Sequence, residues 1–124
     1  MDGHVQAEGK MRFRIVAVRD HPKGKIYEME ADGKVVSLRL TFHALERVTR
    51  WNLSLGKVLQ ALLFPEEVLR GHRDRFIAHR RAGDHVIRAV YEYENDAPVV
   101  ITVYYPSIAR YFRGGGDFED QILS

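Results

Sequence analysis

The 124-residue chain contains no cysteine and only four prolines. The missing thiols exclude a disulfide scaffold, a thiolate zinc site and a cysteine nucleophile together. Any catalysis therefore rests on His, carboxylate, Tyr or Arg side chains, or on a metal held by nitrogen and oxygen ligands. No apolar run approaches the ~18 residues that a membrane-spanning helix needs. Met1-Asp2-Gly3-His4 opens polar, with no hydrophobic leader behind it. The expectation is a cytoplasmic protein with no membrane contact. Charge of one sign is also scarce, since 19 Lys and Arg against 17 Asp and Glu leave a formal charge of +2. Nucleic-acid binding then requires a local basic patch rather than a global field.

What is present is an ordinary globular composition, 45% hydrophobic and 29% charged, long enough for one domain over residues 1–124 and too short for two. Fourteen of the 19 basic residues are arginines, whose planar forks suit phosphate and carboxylate. Residues 1–10 carry no periodicity and read as a frayed leader or the remains of a longer terminus. From Met11 the alternation of Met11, Phe13, Ile15 and Ala17 predicts a strand, and Pro22 and Gly24 a turn. Ile26 to Glu30 and Val35 to Leu40 are two further strands about an Asp32-Gly33 hairpin turn. Residues 11–36 thus form an N-terminal meander.

The period then becomes helical. Ala44, Leu45, Val48 and Trp51 mark a helix over Phe42 to Trp51 with Thr41 as N-cap, and Ser54 caps a second over Leu55 to Phe64 that Pro65 ends. After the polar turn Gly71 to Asp74, residues 75–81, 85–93 and 99–105 read as an antiparallel meander with the last two runs central. The fold class expected is α+β, a helical hairpin packed on an antiparallel β-sheet.

Two stretches carry chemistry. His43, Glu46, Arg47 and Arg50 fall at i, i+3, i+4 and i+7, on the face opposite Ala44, Leu45, Val48 and Trp51. A histidine base with arginines to meet phosphorane charge suits metal-independent RNA cleavage, against the plain reading of a solvated face with Glu–Arg pairs. Tyr104 to Arg113 interleaves aromatics with Arg110 and Arg113, so that Tyr111 and its neighbours can stack bases while the guanidiniums hold phosphates. Gly114 to Gly116 read as a linker or an anion-binding nest. The acidic and apolar run Asp117 to Leu123 packs back on the domain or on a second copy, which would make a homodimer. No histidine pair has metal-ligand spacing, and neither metal nor cofactor is expected.

The runs Leu40-Thr41-Phe42-His43-Ala44-Leu45-Glu46-Arg47, Ala61-Leu62-Leu63-Phe64-Pro65-Glu66, Ile87-Arg88-Ala89-Val90-Tyr91 and Val100-Ile101-Thr102-Val103-Tyr104 together resemble the family called domain of unknown function forty-two fifty-eight. That family is similar to the RelE/ParE-like toxin superfamily. The resemblance covers Leu38 to Tyr105 and departs at Trp51-Asn52-Leu53, where the family usually has Arg-Gly-Ile. It implies a toxin-like core over residues 38–105, with the N-terminal meander as an extension and residues 106–124 as a tail. It also implies RNA binding by a toxin-like protein, in one form a metal-independent endoribonuclease of a toxin–antitoxin pair, with His43, Arg47, Arg50 and strand-end Tyr104 near one cleft. RNA and a small antitoxin-like protein would be its partners. The alternative is a non-catalytic module that binds a small partner protein.

Overall fold

The computed structural model describes residues 12–124, so the expectations for residues 1–10 and Met11 lie outside it. Strands β1 (Phe13–His21), β2 (Gly24–Ala31) and β3 (Lys34–Thr41) form an antiparallel meander. Asp32 and Gly33 sit at φ 53° and 75°, the positive angles of a two-residue turn that matches strand twist. At the other turn Gly24 approaches β3 so closely that a Cβ would lie 2.0 Å from the Leu40 carbonyl oxygen, which leaves glycine as the residue that fits. The alternation of β1 breaks at a bulge between Ile15 and Ala17, leaving Ile15, Val16 and Val18 exposed.

Helix α1 (Phe42–Arg50) starts where β3 leaves the sheet. β3 pairs with β7 (Ala97–Tyr104) only through Arg39–Val99 and Leu40–Val100, so β7 has further edge carbonyls to satisfy. Side chains at the two ends of α1 satisfy them. The Thr41 hydroxyl accepts from the Ala44 N–H at 3.0 Å and donates to the Ile101 carbonyl at 3.1 Å, and the Trp51 indole donates to the Val103 carbonyl at 3.0 Å. Helix α2 (Leu55–Leu63) is capped by Ser54 and buries Val58, Leu59, Ala61, Leu62 and Leu63. Strands β4 (Glu67–Arg70), β5 (Phe76–Ala82) and β6 (His85–Glu94) lead back to β7, and the short helix α3 (Ile108–Tyr111) follows.

These strands form one sheet in the order β1-β2-β3-β7-β6-β5-β4. Every neighbouring pair is antiparallel except β3 and β7, which are parallel. The sequence-based picture of a helical hairpin on an antiparallel sheet with an appended meander is therefore corrected to a seven-stranded mixed sheet bearing small helices. The reason lies in burial. Tyr27, Met29, Ala31, Leu38 and Leu40 belong to the same core as Val58, Leu59, Leu62, Ala89 and Val103, so β2 and β3 share the apolar face that the helices cover. A meander with one apolar face lowers its free energy by joining that sheet, not by standing outside it.

The chain after α3 returns along the outer edge of β4, where Val68 donates to the Asp117 carbonyl at 2.8 Å and accepts from the Glu119 N–H at 2.9 Å. Asp120 then accepts from the hydroxyls of Tyr91 and Tyr93, both at 2.7 Å, and Ile122 and Leu123 pack against the core. The acidic, apolar tail thus folds back on its own chain. Among the described residues no helix is long and apolar enough to cross a membrane.

Candidate functional site

Strand register places four polar side chains in one row. Glu67 on β4 faces His79 on β5, His79 faces Arg88 on β6, and Arg88 faces Tyr104 on β7. Their sequence neighbours Val68, Ala78, Ala89 and Val103, each fully buried, point to the opposite, helix-covered face. The row therefore lies on the face that α1 and α2 leave uncovered.

Glu67 and His79 are themselves fully buried. His79 Nδ1 lies 2.7 Å from Glu67 Oε2, and His79 Nε2 lies 3.0 Å from Arg88 Nη1. A carboxylate only accepts and a guanidinium only donates, so the ring is neutral, with its proton on Nδ1. Burial pushes the His79 pKa down, against the pull of Glu67 and with help from the Arg88 charge. For Glu67, burial acts upward, but the Arg113 N–H, the His79 ring and the Gly114 N–H outweigh it and hold the carboxyl below its ordinary range.

The same carboxylate fixes the covering segment. Glu67 accepts from the Arg113 backbone N–H at 3.0 Å and from the Gly114 N–H at 2.9 Å. Gly114, at φ 74°, is therefore an anchor and not a free linker residue. Phe112 closes over the pair, its ring centroid 6.4 Å from that of His79, under the Arg81 guanidinium at 5.1 Å. Upstream, Val86 donates to the Pro106 carbonyl and Ile108 to that of Asp84, which sets α3 against the β5–β6 turn.

Two concavities flank Tyr111. One, of about 350 Å³, is lined by Trp51, Arg88, Tyr104, Tyr105, Pro106 and Tyr111. The other, of about 600 Å³, has Arg70, His72, Arg88, Arg110, Tyr111 and Arg113 in its wall, with Asp117 and Glu119 beside them, Glu119 paired with Arg70 at 3.8 Å. Arg88 belongs to both and stacks on Tyr111 at 4.7 Å, with Arg110 at 5.7 Å from the same ring. Burial lowers the Arg88 pKa, partly countered by Tyr111 and Tyr104.

Of the residues singled out in the sequence, Tyr104 lines the aromatic cleft, while Arg110, Tyr111 and Arg113 gather at the basic concavity. His43 is tied instead to β7, its Nε2 3.1 Å from Thr102 Oγ1 and 3.4 Å from Arg47 Nε. Arg50 pairs with Glu46 at 3.0 Å. Trp51, which the helical spacing assigns to the apolar stripe of α1, follows His43 and Arg47 at i+8 and i+4 and reaches the cleft. Sequence pattern alone does not bring Glu67, His79 and Arg88 together, although Arg88 interrupts the alternation between Val86 and Val90. Among the described residues no group of three or more His, Asp or Glu side chains could hold a metal ion.

Neither a curated protein nor a solved structure matches the chain significantly. A family model described as Domain of unknown function (DUF4258) matches residues 40–105, the stretch that runs from the end of β3 through both helices to the end of β7 and supplies all four residues of the polar row. The match spans more than half of the sequence, and the chain belongs to that family.

Proposed function

We propose that the protein binds single-stranded RNA across the two concavities beside Tyr111. The observation that carries this reading is the sharing of Arg88 and Tyr111 by an aromatic cleft and an arginine-rich concavity. Flat rings accept unpaired bases of any sequence, and adjacent guanidiniums hold the phosphates between them. With a net charge of only +2, such a local patch is the arrangement that makes polyanion binding feasible.

A toxin-like endoribonuclease of the RelE/ParE-like kind, neutralised by a small antitoxin-like protein, is the finer form of this proposal. In it His43, two strand positions from the Tyr104 level through Thr102, takes the 2′-hydroxyl proton and Arg47 meets the growing phosphate charge. The test is expression with and without the neighbouring gene product, scored for growth arrest and RNA degradation, beside a gel shift of the purified protein with labelled RNA. Retention of RNA with degradation supports the finer form. Retention alone supports binding without cleavage, and no retention at low salt refutes both.

A further inference from the structure

Arg88 is a partly buried cation without an anion. Among the described residues its one hydrogen-bond partner is the neutral His79, its ring partner is Tyr111, and no carboxylate pairs with it. Several exposed arginines of this chain find carboxylates: Arg14 has Glu30, Arg19 has Glu28 and Arg81 has Glu66, and the half-buried Arg75 has Glu92. The partly buried Arg39 finds Glu94 as well; Arg88 has none, although buried charge is costly unless compensated. A guanidinium carries five N–H donors, and His79 occupies one of them. The others are available at the junction of the two concavities.

The hold on Arg88 is as specific as its lack of an anion. Glu67 sets the His79 proton on Nδ1, which turns the Nε2 lone pair toward Arg88. A buried pair on two neighbouring strands thus fixes a third strand's guanidinium before any ligand arrives, which lowers the ordering cost of binding. The walls beside it are Trp51, Tyr104 and Tyr111, which stay 38%, 42% and 39% exposed. Three large rings left in water around an uncompensated cation fit a ligand with both a flat apolar part and a negative charge. The cleft's volume of about 350 Å³ suits one such small unit.

We propose that Arg88 is the receptor for the phosphate of a single nucleotide unit whose base packs against Trp51, Tyr104 or Tyr111, with Glu67 and His79 as positioning residues. The assignment of the flat part to a nucleobase rests on the RNA reading, whereas the phosphate site stands on Arg88 and its surroundings. Trp51 is the chain's single tryptophan, so its fluorescence reports on the cleft directly.

The experiment titrates the full chain with adenosine monophosphate, inorganic phosphate and a hexauridine oligomer, following Trp51 emission. Saturable quenching by the nucleotide is expected, with inorganic phosphate competing but quenching less. Arg88→Gln is expected to weaken nucleotide binding by roughly tenfold or more, and Arg88→Lys to recover part of it. His79→Gln, which can still donate to Glu67 and accept from Arg88, should bind better than His79→Leu. That ranking, measured on preparations that melt alike, separates positioning from mere packing. If His79→Leu does not fold, the Arg88 variants decide. Unchanged nucleotide binding in Arg88→Gln overturns the inference, even if the oligomer is still retained. Equal affinity for inorganic phosphate and nucleotide overturns the base contact and makes free phosphate the ligand. Nucleotide binding without oligomer binding supports this site and refutes the RNA reading alone.

Discussion

Thr102 Oγ1 lies 3.1 Å from His43 Nε2, joining the first turn of α1 to β7. Thr102 is buried whereas His43 is exposed, so the bond lets a surface ring satisfy a hydroxyl inside the protein. His43→Ala is expected to cost about 1 kcal/mol, the ordinary worth of one hydrogen bond. Urea unfolding measures it, and RNA cleavage is assayed on the same preparation. Loss of cleavage with stability held within about 0.5 kcal/mol would instead mark His43 as the base. A variant that melts and cleaves like the wild type would reject both roles.

Asp120 is the second anchor of the tail. Asp120→Ala leaves the fully buried Tyr91 side chain with an unpaired hydroxyl, a loss of about 1–3 kcal/mol. The alkaline limb of stability gives an independent check. Burial and the Asp120 charge both raise the Tyr91 and Tyr93 pKa values above the ordinary 10.0. Above pH 10 the unfolded chain therefore releases protons that the folded chain keeps, and stability falls as pH rises. Tyr93→Phe should flatten that fall in a thermal-melt series.

In acid the sign reverses. His79 titrates below its ordinary 6.5 in the folded protein, so below pH 6.5 the unfolded chain binds a proton that the folded one refuses. Stability should decline as pH drops from 6.5 through the lowered folded value. Glu67 adds a second decline below 4.5, as the unfolded carboxyl protonates before the folded one. His79→Gln should remove the first slope and leave the second, which unfolding midpoints measured between pH 7 and pH 3 would reveal.

Arg110→Ala with Arg113→Ala should weaken RNA retention and reduce its salt dependence, by about 0.7 in log–log slope for each phosphate left without its arginine. The fold should not suffer, because Glu67 holds the backbone N–H of Arg113 rather than its guanidinium. An unchanged slope in filter binding from low to moderate salt would remove both arginines from the interface.

How much of the fold and of the cleft is legible in the sequence depends on turns and caps. Thr41, Ser54 and Pro65 mark the helix limits because caps and the residue before proline act locally. The two-residue turn Gly83-Asp84 puts Ala82 against His85, and counting back sets His79 against Arg88. Counting from Asn95-Asp96 in the same way sets Arg88 against Val103, one position off. A register shift between Val90 and Tyr91, with Ile101 as the extra residue on β7, brings Tyr104 there instead. Nothing in the local pattern announces that shift. Glu67 follows Pro65-Glu66 and reads as a surface acid until Phe112 to Gly114 cover it, a contact made from far along the chain. The parallel joint of β3 and β7 is hidden for a related reason, since only Arg39–Val99 and Leu40–Val100 make it.

That joint also orders events in time. β1 to β3 form one run of sequence-adjacent hairpins and β4 to β7 another, each closing over short turns. Such local closures take about 1–10 μs. Pairing Leu40 with Val100 must instead gather a long stretch of chain, with its loop entropy lost before the two registered pairs repay it. The rate at which the chain reaches its native state is thus set less by its many hairpins than by one brief seam between its halves.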